Sequence, residues 1–128
     1  MNLLIWIILS GFSHAIANDE VPKQERFKEF KNTVRKNINQ IRHCYEVLLQ
    51  KEPNASGKAV VRISVFGKTG RIKKDETYVE SSTIEDISFK ECLLVKVKRW
   101  KFPISGDDQD YHYSYPFIFE KIEKKKSK

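Results

Sequence analysis

Cys44 directly follows His43, and Cys92 lies 48 residues further along the chain. A thiol beside an imidazole is the pair that a cysteine nucleophile uses. Two thiols with His43 and His112 are also the ligand types of a tetrahedral metal. The spacing argues against both chemistries. Neighbouring residues on a helix point about 100° apart and do not share a pocket, and there is no C-x-x-C or H-x-x-x-H pair. Trp100 and the tyrosines invite ligand stacking, but they fall at helical or strand period, as core residues do. P-loop, dinucleotide-binding and paired-carboxylate patterns are absent. The expectation is a non-enzymatic chain with no catalytic residue, metal site or cofactor. The remaining chemistry is a disulfide, because Cys44 and Cys92 each fall on the apolar face of a helix-like segment.

A disulfide needs an oxidising compartment, and the N-terminus reads as a route to one. Leu3 to Leu9 is continuously apolar and is followed by Ala15-Ile16-Ala17, a signal-peptidase type of site. This predicts a signal peptide over residues 1–17, cut after Ala17. The run is far shorter than the roughly 20 residues of a membrane span; retention as an anchor is the alternative, favoured by an n-region without Lys or Arg. No cysteine follows the run to mark a lipoprotein. Asn54-Ala55-Ser56 matches a glycosylation acceptor but reads as a loop.

Residues 1–17 hold no charged side chain, so all 24 Lys and Arg and 17 Asp and Glu stay on the remainder, with net charge +7. The positive charge concentrates in a basic tail within 120–128 (Lys121, Lys124, Lys125, Lys126, Lys128) and around Lys96, Lys98, Arg99 and Lys101. Such clusters attract phosphate-rich polymers and anionic surfaces. An export signal argues against nucleic acid, and a charged chain end usually reads as a solvated tail.

The elements that position these residues follow from hydrophobic period. Phe27, Phe30, Val34, Ile38, Ile41, Tyr45 and Leu48 form one stripe, predicting a single long helix from Lys23 to Lys51 with Cys44 on its buried side. Pro53 and Gly57 end it. Ala59, Val61, Ile63 and Val65 alternate with Lys58, Arg62 and Ser64 in a strand, and Gly67-Lys68-Thr69-Gly70 supplies a hairpin loop. The partner strand is expected over Arg71 to Glu80, with a bulge where Val79 breaks the parity of Ile72 and Tyr78. Ser82 with Glu85, or Thr83 with Asp86, would cap a second helix whose apolar face is Phe89, Cys92, Leu93, Val97 and Trp100, closed by Pro103 and Gly106. The last strand, Tyr111 to Phe119, has an aromatic residue at every odd position.

The expected fold is therefore α+β in the order α-β-β-α-β, two helices packed on one face of a three-stranded antiparallel sheet, as one domain over residues 18–119. Cys44 and Cys92 would meet where the helices cross, closing a loop that stabilises by about 4 kcal/mol in the chain-entropy account.

Ile41, Cys44-Tyr45, Pro53, Gly57, Gly70, Ser81-Ser82, Cys92, Trp100-Lys101-Phe102-Pro103 and Tyr115-Pro116-Phe117 together resemble the AgmX/PglI C-terminal domain group of the TonB C-terminal superfamily, over about Ile38 to Phe119. The resemblance implies a TonB C-terminal-like domain of the Gram-negative cell envelope, hence periplasmic, that binds partner proteins rather than substrates. Energy-transducing members of the superfamily carry a membrane helix and a Pro-rich spacer, neither of which is present here, and the Tyr-Pro-x-x-Ala motif is replaced by the Cys44-Tyr45 helix. Energy transduction is therefore not expected.

What the resemblance implies for binding is an open last-strand edge that pairs with an extended envelope protein or peptide. The candidate residues are Tyr111, His112, Tyr113, Ser114 and Tyr115, with the aromatic side chains buried and His112, Ser114 and the backbone meeting the partner. Pro116 lacks an N–H and suits an edge; the same feature is how an edge strand is protected from aggregation. The runner-up reading is a binder of anionic envelope polymer or lipid through the basic tail and the cationic end of the second helix (Lys96, Lys98, Arg99 and Lys101). A third is a homodimer that buries the sheet face bearing Val60, Phe66 and Ile118.

Overall fold

The computed structural model describes residues 23–121. The expected signal peptide and most of the basic tail lie outside them. The described elements are helices α1 (Lys23–Lys36) and α2 (Ile38–Lys51), strand β1 (Gly57–Val65), a single 3-10 turn (Lys74–Glu76), strand β2 (Tyr78–Ser82), helix α3 (Ile87–Val97) and strand β3 (Tyr111–Phe119). The architecture is α+β with a three-stranded antiparallel sheet ordered β2-β1-β3.

The expected long helix is two helices. Asn37 leaves helical geometry at φ −109°, ψ 10°, and its Nδ2 donates to Thr33 O at 2.9 Å, replacing a lost backbone bond. The break has a packing reason. Phe30 of α1 lies against Phe102 and Tyr113, with ring centroids 4.8 Å apart in each case, whereas Cys44 on α2 faces α3. A straight rod does not follow both directions. The element order is consequently α-α-β-β-α-β, with three helices rather than two on the covered face.

That face is the odd-numbered one. Ala59, Val61, Ile63 and Val65 of β1, with Phe117 and Phe119 of β3, are buried beneath Val34, Ile41, Leu48, Phe89, Leu93 and Val97. Tyr45 and Phe89 both meet Phe119, at 5.3 and 5.0 Å between centroids. Cys44 and Cys92 form the disulfide between α2 and α3, with Cα atoms 5.8 Å apart. Among the described residues nothing covers the opposite sheet face: Tyr78 and Phe66 are 45% and 43% exposed, Ile118 is 60% exposed, and Val60 is half-buried.

The β1–β2 hairpin also departs from expectation. Gly70 turns the chain at φ +78°, a conformation glycine reaches without steric cost. Only Ile72 then bridges to Val65 before the 3-10 turn intervenes, so the ladder resumes at Tyr78. Thr77 is buried there because its Oγ1 accepts from Ser64 N at 3.1 Å and donates to Lys73 O at 3.0 Å. The register shift pairs Val60 with Ser81 and Val61 with Val79, leaving Glu80 as the extra residue of a bulge.

Neither expected cap residue starts α3. Thr83 Oγ1 accepts from Lys58 N and Ser82 Oγ accepts from Ile84 N, so the cap is Asp86, accepting from Phe89 N at 2.8 Å. The helix ends at Val97, before Pro103 and Gly106, and Trp100 packs from the turn that follows.

Candidate functional site

The edge position of β3 is set by hydrogen-bond parity along β1. Lys58 O accepts from Thr83 N at 2.9 Å and Ser64 O from Lys73 N at 2.7 Å, so the even-numbered residues of β1 turn their backbone toward β2. Successive strand residues turn to opposite sides, and its odd-numbered residues therefore bond to β3. The register runs without interruption from Gly57↔Phe119 to Val65↔Tyr111. It follows that Tyr111, Tyr113, Tyr115, Phe117 and Phe119 face β1, while His112, Ser114, Pro116 and Ile118 turn their backbone groups away. Among the described residues β3 pairs with β1 alone. His112, Ser114 and Ile118 thus present N–H and C=O at the open edge, and Pro116 presents only C=O. The missing donor of Pro116 falls on the side where the β1 ladder does not need it.

The five residues expected to bind a partner are all on β3, but they are not equivalent. Tyr111 is buried, and its hydroxyl donates to Pro103 O at 2.6 Å. Arg26 of α1 sits over its ring at 5.5 Å and also reaches Asp107 at 3.7 Å. Tyr113 is covered by Phe27 and Phe30. His112 and Ser114 are exposed on the open sheet face, and Tyr115 is half-buried. Burial pushes the Tyr111 phenol well above its ordinary range, and pushes Tyr113 and Tyr45 upward as well, with the charge of Glu120 adding to the effect at Tyr45. These phenols are neutral at neutral pH, and those of Tyr111 and Tyr45 donate to Pro103 O and Ala55 O.

From Tyr115 onward the strand borders a groove that the sequence did not reveal. It has a volume of about 610 Å³ and runs between α2 and the second half of β3. Ile38, Ile41 and Leu49 line the helix side; Pro116, Ile118 and Phe119 line the strand side. Arg42, Glu46, Glu120 and Lys121 stand around it, two of each sign, so the charges of its described lining residues balance. The groove adjoins the second half of β3, from Tyr115 to Phe119, and of the five expected residues Tyr115 is the one that lines it.

Both cysteines are joined in the Cys44–Cys92 disulfide, so Cys44 is not a free thiol beside His43 in this structure. His43 and His112 are both exposed and lie on different elements. Among the described residues no group of three or more His, Cys, Asp or Glu converges, and no helix is long and apolar enough to cross a membrane. No family model, curated protein or solved structure matches the chain.

Proposed function

We propose that this chain is an exported, non-enzymatic adaptor of the cell envelope that captures an extended segment of a partner protein as a fourth strand on β3. The observation that carries the reading is the open β3 edge lying along the groove beneath α2. Backbone groups of Ser114, Pro116 and Ile118 supply a hydrogen-bonding rail, and the groove accepts alternate apolar side chains of the incoming strand. The disulfide supports an oxidising compartment such as the periplasm.

A photo-crosslinking residue placed at Ser114 or Ile118 tests this in intact cells. Capture of one partner from these positions, and none from a control at exposed Lys68, is the expected result. Equal labelling at all three would remove the edge from consideration.

A further inference from the structure

The break at Asn37 opens a second cavity, of about 480 Å³, on a surface separate from the β3 groove. Its rim carries Lys36 from the end of α1, and Lys96, Arg99 and Lys101 from the end of α3 and the turn beyond. Among the described residues no carboxylate lines it. Among the described residues, none of these four cations is in an ion pair.

The ordinary reason for cations at a helix end is to complement its last carbonyls. Here those carbonyls have backbone partners: Leu94 O accepts from Lys98 N, Lys96 O from Arg99 N, and Val97 O from Trp100 N. The wall behind the cations is also built. Trp100 is buried, and its Nε1 donates to Gln40 Oε1 at 2.9 Å, tying the α3 turn to the start of α2. Asn37 lines the cavity with its side chain turned back onto Thr33 O instead of capping α2. Like charges held around one concavity raise the potential inside it and favour an anion.

We infer that this cavity is a binding site for a phosphate group, carried either by a small soluble compound or by a lipid headgroup. Arg99 supplies the planar donor fork, and Lys36, Lys96 and Lys101 supply point charges around it. The site is independent of strand capture at β3.

Titration of the full chain with inorganic pyrophosphate, followed by NMR at the Trp100 indole N–H and the Asn37 and Gln40 amides, should show one saturable site. Lys96→Gln with Arg99→Gln should weaken it by about tenfold or more. Lys68→Gln with Lys74→Gln removes the same charge from exposed positions elsewhere and should change affinity by less than about twofold. If the first pair does not fold, Lys36→Gln with Lys101→Gln tests the same rim. Flotation with phosphatidylglycerol against phosphatidylcholine vesicles separates the sources: capture lost in the rim variant assigns a lipid phosphate, and pyrophosphate binding without capture assigns a soluble one. Equal weakening by rim and control variants, or failure to saturate, would overturn the site.

Discussion

The Ser114 hydroxyl donates to a carboxylate oxygen of Glu80 at 2.9 Å, so a side chain of one edge strand reaches the bulge residue of the other across β1. Both groups are exposed, and the bond contributes less than about 1 kcal/mol to stability. Its interest lies in what it leaves available: the hydroxyl is engaged on the sheet face, whereas the Ser114 backbone points to the open edge.

Proline scanning of β3 therefore has two expected outcomes. Ser114→Pro and Ile118→Pro remove N–H groups that face away from β1, and should abolish partner capture while keeping a cooperative fold. Tyr113→Pro removes a ladder donor and should cost about 3 kcal/mol or more. Pull-down of the crosslinked partner alongside urea denaturation checks both. Full capture by Ser114→Pro would place the partner elsewhere.

Reduction of Cys44–Cys92 releases a loop with a sequence separation of 48 residues. The expected loss is about 4 kcal/mol, which for a domain of this size lowers Tm by on the order of 15 °C or more. Calorimetry with and without excess phosphine reductant measures it. An unchanged melting curve after confirmed reduction would contradict the stapling role.

Acid should lower the stability of the domain through three aspartates. The ammonium of Lys51, followed by Phe89 N–H, holds the Asp86 carboxyl below its ordinary range. Gly67 N–H, then Lys73, does the same for Asp110, and Ser105, then Gln109 N–H, for Asp107. A depressed folded-state pKa means stability that is present above the unfolded value of about 4 and is lost as pH falls through the lower one. Urea midpoints should thus decline below about pH 4, and Asp86→Asn with Asp110→Asn should flatten that decline. Lys73 moves the other way, raised chiefly by its hydrogen bond to Asp110, so its contribution fades only as pH rises above the ordinary lysine range.

Gly70→Ala should be among the most damaging single changes in the hairpin. The position has φ +78°, and an added Cβ would lie 2.1 Å from Phe102 O. Phe102 N also donates to Gly70 O at 2.8 Å, so the neighbouring backbone is held in place. A loss of about 2 kcal/mol or more is expected by denaturant titration. Near-neutral behaviour would show that the loop relaxes.

The apolar stripe from Phe30 to Leu48, the β1 and β3 alternation and the two apolar-facing cysteines were readable because each is a local period. Phe30, Val34, Ile41, Tyr45 and Leu48 are buried as that period requires. The break at Asn37 was not readable, because the three-and-four spacing continues unchanged through a bend and the Thr33 bond depends on the bend itself. Ser82 and Thr83 were the expected caps and Asp86 only the partner of Thr83, although all three are residue types that cap helices. The choice among them depended on Lys58, a distant strand residue that already occupied Thr83.

Local spacing thus defines which side of each segment avoids water, since burial of apolar surface acts on any helix or strand regardless of its neighbours. The open edge, the groove beside Pro116 and the cationic cavity between Lys36 and Arg99 are different in kind. Each is formed by groups far apart in the chain, whose proximity exists only after the helices have settled on the sheet.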